Sequence, residues 1–351
     1  MGLNVHRMQL PREVIVGKNT IDQIGTICKR LNITESALIV MGPKTMEIAG
    51  NKVTDLLHDT GLNVEHLVVT SCNIKDIVFV EDKIDEIKPE VVLGVGGGTK
   101  IDVAKISASH KETPFISVPT TASHDGIASP LVSLKGLDKP YSLMAQAPMA
   151  IVADTNIIIN SSYRFTASGC ADVIAKLTAV RDWRLAHEVK DEYYGDYAAD
   201  LALMSARLMI KKARLLKTNL EEGLRVLIEA LISCGVAMSI AGSSRPCSGS
   251  EHLFSHALDQ IVPKPALHGE QCGIGTIMMA PLQNINWKRI RDTLKHVEAP
   301  TTAIELGVGP DQIVEALMRA VDIRPDRYTI LVERTLTPES AKTLAKTTGI
   351  I

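Results

Sequence analysis

The first 160 residues alternate short apolar runs with helix-like stretches, and this alternation leaves few folds open to the chain. The apolar runs have the length and β-branched content of buried strands, whereas the stretch 74–87 has helical periodicity. Strands that alternate with helices predict βαβ units. We therefore expect an α/β domain with a Rossmann-like parallel sheet over residues 1–160. The predicted strands are 37–41, 64–69, 91–95, 115–118 and 150–153.

The pattern changes after Tyr163, where strand-like runs disappear. Residues 198–216 and 224–240 are rich in Ala, Leu and Met and repeat apolar side chains at helical spacing. This texture predicts an all-α domain over residues 161–351. Pro and Gly at 135–140 predict a hairpin or excursion within the first domain.

Composition excludes several classes of protein. A net charge of -2 and 3% aromatic residues argue against a nucleic-acid partner. Six cysteines without a C-x-x-C pair argue against a disulfide framework or zinc ribbon and suit a reducing cytoplasm. The N-terminus lacks the apolar run of a signal peptide, and residues 230–244 make too short an apolar stretch to cross a bilayer. We expect neither secretion nor membrane insertion.

A glycine-rich segment follows the predicted strand 91–95. It reads Gly96-Gly97-Gly98-Thr99-Lys100 and runs into a helical pattern. Glycines let backbone amides approach a pyrophosphate, and the helix that starts near Thr99 adds the positive end of its dipole. The spacing is neither GxGxxG nor a P-loop. It predicts a phosphate cradle, with a plain glycine-rich turn as the alternative.

A second polar loop follows the predicted strand 115–118. In a parallel sheet, loops after the carboxyl ends of adjacent strands line one crevice, so this loop and the glycines are expected to face one ligand. An ordinary Ser/Thr-rich turn is the alternative. The polar residues of the loop are Thr120, Thr121, Ser123, Asp125 and Ser129.

Three histidines predict a metal site. His252 and His256 are four residues apart and would share one helix face, and His268 follows in the next segment. A catalytic zinc usually takes three protein ligands, and Asp172 is our candidate for a carboxylate among them. A histidine pair at this spacing is also common on solvent-facing helices. A His/His/carboxylate set accepts zinc, nickel and other divalent ions.

Together these motifs resemble those of the superfamily of glycerol dehydrogenases, iron-type alcohol dehydrogenases and dehydroquinate synthases, and the resemblance implies a dehydroquinate synthase-like fold of two domains. Within it, residues 169–176 and 248–259 closely resemble the archaeal sn-glycerol-1-phosphate dehydrogenases, and the resemblance covers nearly the whole chain. It implies zinc-dependent reduction of dihydroxyacetone phosphate to sn-glycerol 1-phosphate with NADH or NADPH, a step of archaeal ether phospholipid biosynthesis. It also implies a cytoplasmic homo-oligomer with one zinc per subunit.

The resemblance implies roles for individual residues. Asp172, His252 and His268 would bind zinc, and Asp125, His256 and Asp172 would face the substrate as catalytic residues. His256 could relay a proton because the reference pKa of histidine is near neutral. The implied dinucleotide-binding residues are Gly96, Gly97, Gly98, Thr99, Lys100, Asp102, Thr120, Thr121, Ser123 and Ser129.

Two phosphate-binding roles rest on residue chemistry. Arg245 is the first candidate for the substrate phosphate and Lys176 the second, although either could equally form a structural ion pair. No carboxylate follows the predicted strand 37–41, where one would hold the adenosine ribose of NADH. Lys44 and Thr45 could accept a 2′-phosphate there, so we expect NADPH to be used at least as readily as NADH.

Three other functions would use parts of the same site. A glycerol dehydrogenase would act on an unphosphorylated polyol with the same metal and dinucleotide. A dehydroquinate synthase-like lyase would use NAD without net redox change, and a Glu is usual there in place of Asp172. A non-catalytic nucleotide-binding module would bind NADPH without metal-dependent turnover.

Overall fold

The computed structural model describes residues 5–134 and 141–351. The chain forms two compact units, Met1–Ser162 and Tyr163–Ile351, whereas the sequence places the division after residue 160. The predicted excursion at 135–140 lies outside the described residues.

The first unit contains a parallel sheet, as predicted. Its six strands follow the order β1-β8-β5-β4-β2-β3, and a separate antiparallel hairpin joins β6 to β7. The strands are β1 (Glu13–Gly17), β2 (Ser36–Met41), β3 (Asn63–Val68), β4 (Val91–Gly96), β5 (Phe115–Pro119), β6 (Leu131–Leu134), β7 (Tyr141–Met144) and β8 (Ala150–Asp154). The five predicted strands are therefore confirmed, and β1, β6 and β7 are additional.

Helices cover both faces of this sheet. On one face, buried side chains of the strands pack against Ile24, Val53 and Leu57. On the other, α5 lies so close to β4 that a Cβ on Gly94 would come within 3.1 Å of the Ile101 Cα. The α-helices of this unit are α1 (Ile24–Arg30), α2 (Pro43–Thr45), α3 (Asn51–His58), α4 (Ile74–Ile87), α5 (Gly98–His110) and α6 (Thr155–Ile158). The bounds of α4 match the predicted helix.

The second unit consists of helices joined by loops and has no strand among its described residues, which confirms the predicted fold class. Its helices are α7 (Tyr163–Lys190), α8 (Asp196–Lys212), α9 (Leu215–Thr218), α10 (Leu220–Ala241), α11 (Ser250–Ile261), α12 (His268–Leu282), α13 (Trp287–His296), α14 (Ala303–Leu306), α15 (Pro310–Ile323), α16 (Ile330–Glu333) and α17 (Pro338–Thr347). The long helix α7 packs against α8, α10, α11 and α12. The predicted helix 198–216 is interrupted, because α8 ends at Lys212 and α9 begins at Leu215.

Helix α10 is long and apolar enough to cross a membrane by length and composition alone. About two thirds of its most apolar window, 67%, is buried inside the protein. Buried core helices pass the same test, so this feature is weak evidence for a membrane span.

Candidate metal centre

The N-terminus of α12 is held by a buried carboxylate. Glu270 accepts a hydrogen bond from the Leu267 amide at 2.9 Å, which caps the helix. The guanidinium of Arg164 donates to both oxygens of Glu270, at 2.6 Å from Nε and 2.7 Å from Nη2. These bonds fix the first turn of α12 and with it the position of His268.

A tight packing contact brings this turn against α7. Gly269 lies so close to α7 that a Cβ on it would be 2.0 Å from the carbonyl oxygen of Ser168. Only glycine permits this approach, because no other residue can place its backbone there without displacing a helix. The contact lies one helical turn before Asp172 and sets the spacing between α7 and α12.

Donor atoms from three helices converge at this point. Asp172 of α7, His252 of α11, and His268 and Cys272 of α12 each offer one ligand atom, and these atoms lie within 4.8 Å of one another. The Nε2 atom of His252 is 3.7 Å from Oδ1 of Asp172, and the ring centroids of His252 and His268 are 4.9 Å apart. The structure thus brings together the three residues predicted as metal ligands.

Neighbouring side chains orient both imidazoles. Nδ1 of His252 lies 2.7 Å from Oε1 of Glu251, and Nε2, on the other side of the ring, lies 3.7 Å from Oδ1 of Asp172. With Nδ1 donating to the Glu251 carboxylate, the lone pair would be on Nε2. Nδ1 of His268 contacts the hydroxyl of Ser255 at 3.3 Å. Metal-binding histidines commonly donate their second N–H to a carboxylate in this way, which fixes the tautomer and the ring orientation.

The chemistry of the donors fits a divalent metal ion. One carboxylate, two imidazoles and one thiol form a set of mixed O, N and S donors that suits Zn²⁺. Asp172 and Lys176 are both fully buried, and the Lys176 ammonium donates to Oδ1 of Asp172 at 2.7 Å. This contact favours an internal ion pair for Lys176 over its candidate role as a phosphate ligand.

Cys272 is absent from the ligand set implied by the sequence. It follows His268 by four residues and is fully buried, like the other members of α12 around it. Its helical spacing from His268 was the available signal. C-x-x-C motifs do not include this spacing, and Cys272 was therefore not predicted as a ligand.

Two buried carboxylates hold the start of α11. Asp182 accepts hydrogen bonds from the amide and hydroxyl of Ser250, each at 2.6 Å, and from the Ile330 amide at 2.7 Å. Glu251 accepts from the Gly249 amide and the Thr178 hydroxyl, each at 2.7 Å. Burial raises the pKa of both, and burial together with the charge of Glu251 raises the pKa of Asp182 to about 6.

Arg245 is fully engaged within the protein. Its guanidinium forms an ion pair with Glu192, with Nε 2.6 Å from Oε1, and Nη1 donates to the carbonyl of Tyr328 at 3.0 Å. The side chain is 5% exposed. This geometry favours a structural ion pair over the phosphate-binding role considered from sequence.

His256 lies beside the metal-binding group without belonging to it. Its ring centroid is 6.0 Å from that of His268, and its Nδ1 is buried without a hydrogen-bond partner among the described residues. The nearest oxygen of Asp259 is 3.9 Å away, too far for a hydrogen bond. The imidazole therefore lies next to the donor cluster with an unsatisfied nitrogen.

In the first unit, the structure brings the two predicted cofactor loops together. The Thr120 amide donates to the Gly96 carbonyl at 3.0 Å, because β4 and β5 are neighbours in the sheet. A Cβ on Gly98 would lie 2.1 Å from Nε2 of His124, and one on Gly97 would lie 3.2 Å from Oγ1 of Thr121. The side chain of His124, to which the sequence assigned no role, therefore covers the first turn of α5.

The remaining predicted cofactor residues differ in their surroundings. Thr99 is exposed, and Nζ of Lys100 donates to the Thr70 carbonyl at 2.9 Å. Burial lowers the pKa of Lys100. Asp102 is buried, and its oxygens accept from Lys105 and from the Ser133 amide, both at 3.3 Å. Its carboxylate thus faces the protein. Asp125 and Thr121 are half-buried, whereas Thr120, Ser123 and Ser129 are buried.

The segment after β2 was expected to select NADPH. The Thr45 hydroxyl accepts from the Gly42 amide at 2.8 Å and donates to the Val95 carbonyl at 3.0 Å, so it is engaged by the backbone. Lys44 is exposed. Of the two residues, Lys44 keeps the side chain that could reach a 2′-phosphate.

Comparison with known proteins places the chain in a family. Residues 15–161 match the iron-containing alcohol dehydrogenases. The whole chain is 51% identical over 351 residues to the glycerol-1-phosphate dehydrogenase (NAD(P)⁺) of Thermococcus sibiricus, with 100% of both chains covered. The chain belongs to the glycerol-1-phosphate dehydrogenase family. Another family member, from Pyrococcus furiosus, is 52% identical over 347 residues, covering 99% of this chain and 100% of the relative.

Solved structures support the same fold. A glycerol dehydrogenase from Schizosaccharomyces pombe matches with a TM-score of 0.82 at 21% identity, covering 98% of this chain and 90% of its own. A probable glycerol dehydrogenase from Sinorhizobium meliloti matches with a TM-score of 0.79 at 19% identity, covering 98% of both chains. These likenesses concern the fold, and the full-length relatives define the family.

Proposed function

We propose that this protein reduces dihydroxyacetone phosphate to sn-glycerol 1-phosphate with NADPH or NADH, a step of archaeal ether phospholipid biosynthesis. The observation that carries the proposal is the 51% identity with a glycerol-1-phosphate dehydrogenase over all 351 residues. The convergence of Asp172, His252 and His268 supports it, since this reduction needs an electrophile beside the carbonyl. We further propose that the enzyme is a cytoplasmic homo-oligomer with no membrane insertion.

The metal site would be formed by Asp172, His252 and His268, and Zn²⁺ is the proposed ion. When bound, the ion would act as a Lewis acid toward the C2 carbonyl of the substrate, to which the nicotinamide supplies hydride. Glu251 holds the tautomer of His252 that a cation requires. Lys176 balances the charge of Asp172 within the protein interior.

The dinucleotide would bind at the carboxyl ends of β4 and β5. Gly96, Gly97 and Gly98 would allow the backbone to approach a pyrophosphate, and the amides at the start of α5 would donate hydrogen bonds to it. Lys100 and the hydroxyls of the second loop are proposed to complete the contacts. Asp102 is proposed to stabilise the dinucleotide-binding region through its hydrogen bonds with Lys105 and the Ser133 amide, rather than to contact the dinucleotide itself.

Asp125, Asp172 and His256 are the proposed substrate-facing residues. His256 would deliver the proton that the alkoxide product needs, because an imidazole gains and loses protons near neutral pH. The His256 ring lies beside the donor cluster, with its centroid 6.0 Å from that of His268, and this position supports a role for the imidazole toward a bound ligand.

The test of the proposed function is oxidation of NADPH, and separately of NADH, by enzyme stripped with a chelator and then resupplied with Zn²⁺. We expect turnover of dihydroxyacetone phosphate only after the ion is restored, at a rate with NADPH at least equal to that with NADH. Turnover of dihydroxyacetone alone would identify a glycerol dehydrogenase instead. No NADPH or NADH oxidation with either substrate would favour the lyase or the nucleotide-binding module as the function.

A variant tests the proton-relay role. His256→Ala should lower kcat by roughly 100-fold, the lower end of what a general acid contributes, and should leave the bound metal in place. The matched control is His296→Ala, because His296 is an exposed histidine at the end of α13. Steady-state kinetics and metal analysis of both variants provide the comparison. Full turnover by His256→Ala with its metal retained would exclude the relay.

A further inference from the structure

We propose that the thiol sulfur of Cys272 is itself a metal ligand, in addition to the three residues implied by the family resemblance. The inference rests on the proposed metal site and deepens it. It assigns the substrate-free ion four protein donors, which are one carboxylate oxygen, two imidazole nitrogens and one sulfur.

The position of the sulfur matches a coordination shell. Cys272 Sγ lies 3.5 Å from Nε2 of His268. With Zn–S near 2.3 Å and Zn–N near 2.0 Å, two ligands at a tetrahedral angle are separated by about 3.5 Å. The observed separation matches the distance between two corners of one zinc tetrahedron, so both atoms could bind one ion without a large movement.

The local fold holds the sulfur in this place. Cys272 follows His268 by one turn of α12, so both side chains project from one face of the helix. Asp172 and His252 approach the same point from α7 and α11, and the Gly269 contact with Ser168 fixes the distance between α7 and α12. Cys272 is fully buried, and Ser255, Lys176 and Glu251 add further polar groups around its thiol beside the donor cluster.

Ligation by sulfur has two chemical consequences. The thiol releases its proton to solvent when it binds, and the resulting thiolate favours Zn²⁺ or Co²⁺ over Mg²⁺ or Mn²⁺. Four protein donors also complete a tetrahedral shell, so the substrate must compete with Cys272 for the ion or enter as a fifth ligand. Cys272 is thus expected to determine metal selectivity as well as affinity.

The experiment is absorption spectroscopy of protein loaded with Co²⁺ in place of the native ion. Wild-type protein should bind one Co²⁺ per chain and show a sulfur-to-cobalt charge-transfer band in the near ultraviolet. Cys272→Ser and Cys272→Ala should lose the band and bind Co²⁺ at least about tenfold more weakly, because outer-sphere changes alone have effects of that size. Cys170→Ser is the matched control, since Cys170 is also fully buried but lies outside the donor group.

The outcomes separate the two proposals. A wild-type protein that retains Co²⁺ without the band, or Cys272 variants that keep the band, would overturn the assignment of Cys272 while leaving the metal site intact. A wild-type protein that retains no Co²⁺ would instead contradict the metal site, and the assignment of Cys272 with it. Cys272→Ser preserves the size of the side chain, so a folded variant should be obtained for the comparison, with circular dichroism as the check.

Discussion

Gly269→Ala is expected to destabilise the protein by about 3 kcal/mol, near the upper end of what overpacking costs, and to weaken metal binding at least about tenfold. The added methyl group would lie 2.0 Å from the Ser168 carbonyl, and a backbone oxygen cannot turn aside as a flexible side chain can. Helix α12 must therefore move away from α7. That movement would separate His268 from Asp172, which lie on the two helices.

Urea unfolding and metal titration would measure both effects. Gly309→Ala is the control, because a Cβ on Gly309 would meet nothing closer than 3.8 Å and the position lies in the same unit. It should change stability by less than about 1 kcal/mol. If Gly269→Ala kept wild-type stability and metal affinity, the close contact between α7 and α12 would not be needed for the site.

Asp182→Ala should lower the free energy of unfolding by about 3–5 kcal/mol, because several buried donors lose the acceptor that they share. Asp182 accepts hydrogen bonds from the Ser250 amide, the Ser250 hydroxyl, the Ile330 amide and the side chain of Gln283. Alanine would leave these donors buried and unpaired, at a cost of about 1–3 kcal/mol each before relaxation.

Chemical denaturation gives the free energy directly, and Asp200→Ala on α8 is the control because Asp200 is exposed. That control should stay within about 0.5 kcal/mol of wild type. A loss of less than about 1 kcal/mol for Asp182→Ala would mean that water or neighbouring groups replace the carboxylate. We also expect weaker metal retention in Asp182→Ala, since Asp182 holds the turn that precedes His252.

The elements that could be predicted from sequence are those with a strong local pattern. Strands β4 and β5 could be predicted from their continuous apolar runs, and α4 from its regular helical periodicity. Strand β1 was not predicted because it is only five residues long and partly buried, so its sequence lacks the pattern of a buried strand. The break between α8 and α9 was missed because helical periodicity continues through Ala213 and Arg214.

The site was harder to predict where partners are distant in sequence. Glu251 pairs with Thr178, and Arg245 pairs with Glu192, across segments that no local pattern connects. The candidate phosphate role of Arg245 came from its position before the histidine helix, and sequence could not reveal that Glu192 occupies its guanidinium. The three metal ligands could be predicted as one group because the family motifs relate residues that are distant in sequence, which periodicity cannot do.

All four donor residues of the metal centre belong to the unit Tyr163–Ile351. The proposed ion would therefore act as a folding ligand of that unit, coupled by thermodynamic linkage to its native state. An ion at 100 times its dissociation constant would add about 2.7 kcal/mol to the stability of the helical unit. In a metal-poor cell, loss of the ion would then allow local unfolding of the helices that carry the donors. The first effect would be a shorter lifetime of the protein, independent of whether substrate is present.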